Sequence, residues 1–398
     1  MKVNRVRSLA RRILCVGLTT FICATSPDDG SAKETGSAIA VAPAATSPSS
    51  IAIGPYVQNV GWDRATVCWA TLEGESKVVG PDGERRVPRY QVHQQSFGGL
   101  KPGTKYHYDV LNDGSSDGKG SFTTYPAELE PFHFVVVGDT RSNHDTHQAI
   151  VNQIVKEEPL LVVNTGDLVS NGLNMDDWKE FFRINRGLMR NVPYYPTLGN
   201  HENDSPFYFD FFTLPQNERY YTFSVGDALF LILDVEGTYY DTPRYMDERA
   251  REVWWSKQNI EYMRRQKAWA EKILTLHDSA GYTFVILHEP LISVKRTRVE
   301  DAKLRRAFWD GLFEKHRVSV VFSGHDHFYH RAVIDGTQFI TTAGGGAGLY
   351  DPDTPAPETV LLKKVNHYCR VDVGEQEAKV TAIELGGAII EEVVLKRR

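Results

Sequence analysis

The sequence is poor in cysteine, which limits the covalent cross-links that it can form. It has four cysteines in 398 residues, and two of them, Cys15 and Cys23, lie within the first 30 residues. The other two, Cys68 and Cys369, each lie inside a strand-like run, and two cysteines are too few for a dense disulfide framework. A bond between them remains an alternative in an exported chain, but two buried free thiols are the favoured interpretation.

An excess of positive charge is also missing. The formal net charge is −6. This value includes five basic residues at the start of the chain: Lys2, Arg5, Arg7, Arg11 and Arg12. Without them the rest of the chain carries about −11 (−6 − 5). Such a surface argues against non-specific polyanion binding and against nucleic acid as a stable partner. It is compatible with a phosphate substrate, because bound metal ions dominate the charge of a local site.

The chain has no apolar run long enough to span a bilayer comfortably. Residues 1–30 combine a basic start, a short apolar run and small residues near Ala24, which is typical of an export signal. We therefore predict an exported protein (periplasmic, cell-surface or secreted) without a transmembrane segment. Arg11-Arg12 leaves a twin-arginine signal open. Cys23 leaves a lipid anchor open, although the preceding Thr20-Phe21-Ile22 fits the usual lipobox poorly.

The rest of the chain divides by composition. Residues 31–50 are rich in Ala, Ser, Thr and Pro and predict a disordered linker. Residues 51–127 alternate short strands with turn signals, among them Glu73-Gly74, and predict a small all-β sandwich. Residues 131–398 read as strand, loop and helix, with the predicted helices and closing strands as follows: helices 145–158, 174–190, 254–277 and 301–316, and strands His367–Val373, Ala378–Leu385 and Ile389–Leu395. No internal repeat of fixed period is present, and nothing indicates an oligomeric state.

Five short polar clusters each begin where an apolar run stops. The clusters are Gly138-Asp139, Gly166-Asp167, Gly199-Asn200-His201-Glu202, His288-Glu289 and Gly324-His325-Asp326-His327. The preceding runs are rich in β-branched and aromatic residues, which is typical of strands buried on both faces. In an open α/β sheet, ligand sites gather beyond the carboxyl ends of the strands. The order of the clusters therefore predicts one site that holds two Asp, one Asn and several His.

This set of side chains suits divalent or trivalent cations of hard to borderline character. Phosphoester hydrolysis needs a stronger nucleophile than water and a stabilised leaving oxygen, and two neighbouring cations supply both. A carboxylate is the natural bridge between them, because it has two oxygens and a negative charge. The residues alone therefore favour a metal-dependent hydrolase.

The five clusters in this order resemble the calcineurin-like metallophosphoesterase superfamily. With the preceding β-sandwich, and with Leu100–Tyr106 similar to the tyrosine corner of fibronectin type III domains, the resemblance is to the purple acid phosphatase branch and covers residues 51–398. It implies a four-layer α/β/β/α sandwich over residues 131–398, preceded by a small all-β, fibronectin type III-like domain over 51–127. It also implies a pair of metal ions, Fe, Mn or Zn.

The resemblance assigns roles by position. It implies that Asp167 bridges the two metals. It implies that Asp139 and His327 hold the first metal, and that the second metal has three further ligands: Asn200, His288 and His325. It places His201 near the substrate, where it donates a proton to the leaving oxygen or stabilises the transition state. Glu202 and Glu289 either orient neighbouring histidines or are solvated loop carboxylates.

The chain departs from the family at two positions in the first-metal shell. Many members have a His ligand where this chain has Arg141, and purple acid phosphatases have a Tyr ligand where it has Ser170. The resemblance then implies a thinner first-metal shell and a colourless enzyme. His144 and His147 are open as replacement ligands. Arg141 either grips the substrate phosphate or pairs with a nearby carboxylate, and Asn143 is a further candidate for phosphate binding.

The expected function is that of an exported dinuclear phosphohydrolase, most simply an acid phosphatase-type phosphomonoesterase in which a metal-bridging hydroxide attacks phosphorus. One alternative is a phosphodiesterase or pyrophosphatase that acts on nucleotides or lipid head groups. The other is a surface binding module that has lost catalysis, which the thinner first-metal shell motivates. Gly344-Gly345-Gly346 lacks a helix-opening fingerprint and does not indicate a nucleotide loop.

Overall fold

The computed structural model describes residues 51–80, 83–112, 115–236, 248–353 and 355–398. The predicted leader (1–30) and linker (31–50) lie outside the described residues. No described helix is both long enough and apolar enough to cross a membrane. The predicted division between 51–127 and 131–398 stays a prediction, because both parts contribute side chains to one continuous buried core.

Five strands form the N-terminal β region, in two antiparallel sheets. The strands are β1 Ile51–Gln58, β2 Arg64–Gly80, β3 Gly83–Gly98, β4 Lys105–Asn112 and β5 Ser115–Thr123, ordered β1-β2-β3 and β4-β5. The Tyr106 hydroxyl accepts a hydrogen bond from the Lys101 amide at 2.9 Å, within the segment that resembles a tyrosine corner. The predicted turn at Glu73-Gly74 is wrong, because these residues lie inside β2 at a register shift that bends the strand without ending it.

The remaining elements alternate between strands and helices. They are β6 Phe132–Val137, α1 His144–Glu157, β7 Leu161–Asn164, α2 Met175–Met189, β8 Tyr194–Pro196, α3 Pro206–Phe211, β9 Tyr221–Val225, β10 Ala228–Ile232, α4 Glu248–Leu276, β11 Tyr282–Ile286, α5 Val299–Trp309, α6 Leu312–Lys315, β12 Val320–Ser323, β13 Tyr329–Ile334, β14 Thr337–Thr342, β15 Thr359–Lys363, β16 His367–Val373, β17 Glu377–Glu384 and β18 Ile389–Lys396.

Two mixed sheets form the centre of this part of the chain. One has six strands in the order β18-β17-β16-β6-β7-β8, and the other has seven in the order β15-β13-β14-β12-β11-β10-β9. Phe134 of the first sheet contacts Phe230 and Phe284 of the second edge to face, with ring centroids 4.9 and 5.0 Å apart. The two sheets therefore pack face to face through a shared apolar layer.

The period of two along the strands explains the four layers. On β10, Phe230 and Ile232 belong to the core between the sheets, whereas Leu229 and Leu231 belong to a second core on the opposite face. That second core also contains Ala270 and Leu274 of α4 and Trp309 of α5, so helices cover this face. α1 and α2 supply side chains to the core on the side of the six-stranded sheet. The expected α/β/β/α sandwich is confirmed.

The helices differ from the prediction in two places. The predicted helix 301–316 is wrong as a single element, because Asp310 (φ 52°) and Gly311 (φ 63°) adopt left-handed backbone conformations that end α5 and separate it from α6. The short helix α3 was not predicted. It begins at a Ser205 cap followed by Pro206, a start signal that the pattern of the sequence did contain.

The two cysteines of the described chain are free and buried. Burial raises the pKa of both thiols to about 12, so neither is poised as a thiolate. The interpretation of Cys68 and Cys369 as buried thiols is confirmed.

Candidate metal centre

Parallel pairing of neighbouring strands brings the five clusters to one edge. β6, β7 and β8 are parallel neighbours in the six-stranded sheet, and β11 and β12 are parallel neighbours in the seven-stranded sheet. Parallel strands end on the same side, so the loops that follow them meet there. Since the two sheets face each other, the clusters from both converge.

The first group of candidate ligands consists of Asp139, Asp167 and His327, all buried. One ligand atom from each lies within 4.8 Å of the others. His327 Nε2 is 3.2 Å from Asp139 Oδ1, and the other oxygen of Asp139 accepts a hydrogen bond from the His325 amide at 2.9 Å. The carboxylate of Asp139 is thus held by backbone while one of its oxygens faces the imidazole.

The second group consists of Asp167, His288 and His325, again with ligand atoms within 4.8 Å of one another. His288 Nε2 lies 3.4 Å from Asp167 Oδ1 and 3.2 Å from His325 Nδ1. Asn200 joins this group through Oδ1, which is 3.2 Å from His288 Nε2. Asp167 is common to both groups, so its carboxylate lies between them.

The backbone at these residues is strained in the same way. Asp139 (φ 55°), Asp167 (φ 56°) and His325 (φ 69°) are all left-handed, a conformation that costs a non-glycine residue about 1–3 kcal/mol. Two neighbouring glycines lie so close to these carboxylates that a larger residue would clash with them. A Cβ at Gly199 would lie 2.4 Å from Asp167 Oδ1, and one at Gly324 would lie 2.6 Å from Asp139 Oδ2. The glycines of the clusters therefore let backbone approach the carboxylates closely.

Three of the imidazoles are oriented by main-chain carbonyls. The Nδ1 atoms of His201, His288 and His327 each lie 2.7 Å from a carbonyl oxygen, of Ser170, Thr165 and Gly348 respectively. A carbonyl can only accept, so each Nδ1 must carry the proton and donate it. This leaves the Nε2 lone pairs of His288 and His327 facing the carboxylates, which is the arrangement of metal-binding histidines.

The charges of the site favour an ionised Asp167. Burial alone would raise the pKa of this carboxyl, but His288, His201, the His201 amide and Arg141 together outweigh burial and hold its pKa below the ordinary value. Burial, reinforced by His288, lowers the pKa of His325, so this imidazole is neutral. An anionic Asp167 beside a neutral His325 is the protonation state that a cation requires of these two residues.

Arg141 makes direct contact with this site. Its Nε donates to Asp167 Oδ2 at 3.0 Å, and its Nη2 lies 3.4 Å from His327 Nε2. The guanidinium is therefore paired with the carboxylate that both groups share. Ser170 contributes its carbonyl to His201, and its hydroxyl lies 3.3 Å from that of Ser142.

Asn143 caps a helix. Its Oδ1 accepts a hydrogen bond from the Thr146 amide at 3.2 Å at the start of α1. The amide oxygen is therefore engaged locally, which leaves the Nδ2 group for any contact with a substrate phosphate.

Glu202 has a role that its sequence position did not reveal. It is fully buried, and its carboxylate accepts backbone hydrogen bonds from Asp167 (2.9 Å), Leu168 (2.8 Å), Val169 (3.4 Å) and Gly199 (2.7 Å). It orients main chain rather than an imidazole and ties the loop after β7 to the loop after β8, so neither earlier alternative for Glu202 holds. Glu289 lies 3.8 Å from His325 Nε2 and pairs with Arg305.

The two open replacement ligands lie outside both groups. The half-exposed His144 pairs with Glu180 at 3.6 Å. His147 is buried, its ring lies tilted against that of Phe181 with centroids 6.0 Å apart, and its Nε2 is 3.2 Å from Asn185 Nδ2. Neither belongs to a candidate ligand group of the described chain.

His147 instead predicts acid sensitivity. Burial lowers its pKa to about 3, from 6.5 in an exposed histidine. The unfolded chain therefore binds a proton between these values that the folded chain does not, so stability is complete above pH 6.5 and falls as the pH drops toward 3. We expect the buried His147 to lower the free energy of unfolding by about 2.5 kcal/mol between pH 7 and 4.5, measured by urea unfolding. His147→Gln should remove this part of the pH dependence and His144→Gln should not; equal pH dependence in all three proteins would contradict the assignment.

The residues present fit a pair of cations. Asp139 Oδ1 is buried and has no hydrogen-bond partner among the described residues, a costly condition that a bound cation would relieve. The second group offers two imidazoles, an amide oxygen and a carboxylate. The first offers two carboxylates and one imidazole, with Arg141 beside them. Carboxylate, amide and imidazole ligands suit Fe, Mn and Zn alike.

Comparison with known proteins places this geometry in a family. The calcineurin-like phosphoesterase family matches residues 132–329, which span every cluster of the site. Purple acid phosphatase 21 of Arabidopsis thaliana is 26% identical over 279 residues, which are 64% of this chain and 58% of the plant protein. The chain thus spans a little over half the length of that relative.

Two solved structures share the fold. Purple acid phosphatase from yellow lupin (Lupinus luteus) seeds aligns with a TM-score of 0.68 and 16% identity, over 86% of this chain and 74% of that one. A structure named PhoD aligns with a TM-score of 0.62 and 14% identity, over 89% of this chain and 93% of that one. With the family match over the site and the two ligand groups that share Asp167, the chain is a member of the calcineurin-like metallophosphoesterase superfamily, and it is similar to purple acid phosphatases.

Proposed function

We propose that this protein is a dinuclear metal-dependent phosphohydrolase, and most simply a phosphomonoesterase of the acid phosphatase type. The observation that carries the proposal is the position of Asp167, whose carboxylate belongs to both ligand groups. One carboxylate between two sets of imidazole and oxygen ligands is suited to two neighbouring cations. The relatives named purple acid phosphatase support the class of reaction.

The proposed ligands divide between the two metals. Asp139 and His327 would hold the first, Asn200, His288 and His325 would hold the second, and Asp167 would bind both. Bound cations supply Lewis-acid activation of water and neutralise charge on the phosphoryl group. The chain itself keeps Asp167 ionised and His325 neutral. Glu202 holds the Asp167 backbone in place, because its carboxylate accepts a hydrogen bond from the Asp167 amide.

The structure supports a proton-donating role for His201. Its Nδ1 donates to the Ser170 carbonyl at 2.7 Å, so only Nε2 is free to act, and that atom lies 3.9 Å from Asp167 Oδ2. The imidazole is partly exposed, with about 30% of the side chain accessible. A proton carried on Nε2 can therefore reach a leaving oxygen of a substrate held at the shared carboxylate.

Removal and replacement of metal tests the proposal. Purified protein treated with a chelator should lose hydrolysis of an aryl phosphate and regain it when Mn²⁺, Fe²⁺ or Zn²⁺ is restored singly, with the bound metal quantified by elemental analysis. A bis-aryl phosphate measured in parallel separates a monoesterase from a diesterase. Protein that binds close to two equivalents of metal and hydrolyses neither ester would overturn the proposal in favour of a binding module.

We propose further that Arg141 grips the substrate phosphate. Its guanidinium already reaches Asp167 and the vicinity of His327, and its planar donors match phosphate oxygens. Arg141→Ala should lower kcat/KM for an aryl phosphate about tenfold to a hundredfold, the equivalent of one or two charge-assisted hydrogen bonds. Bound metal should not decrease in this variant. Arg183→Ala, which removes an exposed arginine whose salt-bridge partner among the described residues is Glu180, should match wild type. Unchanged kinetics in Arg141→Ala would show that the arginine serves only to pair with Asp167.

Export remains a proposal from the sequence of residues 1–30. Expression of the chain with and without these residues, followed by cell fractionation, should show export of the first form alone.

A further inference from the structure

A cavity of about 850 Å³ opens beside the second ligand group. Asn200 and Glu289 line one end of it, and both are neighbours of the histidines that would hold the second metal. Its other lining residues include Val235 and Glu236, which follow β10, and side chains of helices α4 and α5. A phosphoester bound at Asp167 would therefore have room for a large alcohol portion on this side.

Much of the cavity wall is apolar. Ile260 and Met263 of α4 line one side, and Leu304 and Phe308 of α5 line another. Two of these side chains are unusually exposed for their size: Ile260 retains 48% of its accessible surface and Leu304 retains 70%. Exposed apolar side chains at the edge of a cavity are typical of a surface that a ligand covers.

The polar part of the wall has hydrogen-bond acceptors without donors. Glu236 Oε1 and Asn259 Oδ1 both line the cavity, are buried, and have no hydrogen-bond partner among the described residues. A buried acceptor without a donor is destabilising unless a ligand or water satisfies it. A ligand with hydrogen-bond donors could therefore satisfy these two atoms.

Some charged side chains of the cavity wall are paired with an opposite charge and others are not. Arg305 pairs with Glu289, and Asp204 pairs with Arg219, so these charges offset one another. Glu236 has no salt-bridge partner among the described residues. Burial, Glu289 and Asp167 all raise its pKa, against which Arg305 acts weakly. A positively charged group in the cavity would face the carboxyls of Glu236 and Asp301, which both line it, whereas a negatively charged group would face the same carboxyls without an unpaired cation beside them among the described residues.

We propose that this cavity binds the alcohol portion of the substrate and selects an alcohol that combines an apolar segment with a positively charged group, which Glu236 would contact. This inference rests on the proposed phosphohydrolase function and adds a substrate class to it. It disfavours phosphoesters whose alcohol carries a second phosphate or a carboxylate.

Three aryl phosphates of matched leaving group test the inference. They are O-phosphotyramine, with an ammonium group, the phosphate of 3-(4-hydroxyphenyl)propanoate, with a carboxylate, and phenyl phosphate. Wild type should show a kcat/KM about tenfold higher for phosphotyramine than for the carboxylate analogue, as one charge-assisted contact allows. Glu236→Gln should bring that ratio close to one. Leu304→Lys places a positive charge on an exposed side chain and should reverse it.

Glu300→Gln is the matched control. Glu300 lies in the first turn of the same helix as Leu304, pairs with Lys303 and keeps 80% of its side chain exposed, so this variant should retain the wild-type ratio.

Hydrolysis of all three esters with equal kcat/KM, unchanged by Glu236→Gln and Leu304→Lys, would overturn the inference while leaving the proposed phosphohydrolase function intact. If no ester released phosphate, the proposed function would fail. In that case, calorimetric titration of wild type and Glu236→Gln with tyramine would test the cavity by itself. Binding that depends on Glu236 would support the proposed cation-binding role of the cavity, and no binding would overturn that role.

Discussion

Asp167→Asn is expected to reduce phosphoester hydrolysis by about a thousandfold or more. The substitution keeps the size and one carbonyl oxygen of the side chain, so the hydrogen bond from the His201 amide at 3.0 Å can persist. It removes the negative charge that His288, His201 and Arg141 surround. Loss of several kcal/mol of cation binding and transition-state stabilisation corresponds to three or more powers of ten in rate. Activity and metal content of the purified variant measure the effect.

Asp139→Asn is the matched comparison, because Asp139 belongs to one ligand group only. We expect elemental analysis to show loss of up to both metal equivalents in Asp167→Asn but of one in Asp139→Asn. Full metal content and near-normal turnover in Asp167→Asn would refute the role of Asp167 as the shared ligand, whatever the result for Asp139.

His201→Asn is expected to lower kcat by about a hundredfold to ten-thousandfold, the usual contribution of a general acid. The size of the loss should depend on the leaving group. An alkyl phosphate, whose alkoxide needs a proton, should lose most, and p-nitrophenyl phosphate, whose phenolate leaves without one, should lose least. Metal content should match wild type, because Nδ1 of His201 is directed to the Ser170 carbonyl and the residue lies outside both ligand groups.

Comparison of the two substrates separates two roles for His201. An equal loss on both would indicate that His201 stabilises the transition state without donating a proton. No loss on either would remove it from the reaction. His144→Asn, which changes a half-exposed histidine paired with Glu180, serves as the control and should leave both rates unchanged.

The pattern of the sequence predicted the strands that position the site because their runs are apolar on both faces. The closing strands at 367–373, 377–384 and 389–396 also agree with the predicted ranges to within one or two residues, since clear alternation marks them. The helix predicted over 301–316 failed because its apolar residues continue past Asp310 and Gly311. The Asp-Gly pair was a helix-end signal that the prediction passed over, and the left-handed backbone at both positions ends α5 there.

The sequence pattern did not predict side-chain contacts between residues that are distant along the chain. Glu202 has no sequence feature that separates a solvated loop carboxylate from one that accepts four backbone hydrogen bonds. Arg141 left two roles open, and its contact with Asp167, 26 residues away, became visible only in the folded chain. His147 looked like a possible ligand from its neighbours, yet it packs against α2.

The order of apolar runs and polar clusters by itself indicated an α/β sheet and the residue types of the centre, because strand ends and metal-ligand chemistry both follow from residue type. The four-layer α/β/β/α arrangement was implied by the resemblance to the metallophosphoesterases. Tertiary structure showed which atoms meet. It brought the Asp167 carboxylate, for which the resemblance had implied a shared role, into both ligand groups, and it alone revealed the guanidinium bound to that carboxylate and the cavity with Glu236 beside them. These depend on how two sheets face each other and on where loops from distant strands end, and such distances are set by packing of the whole core.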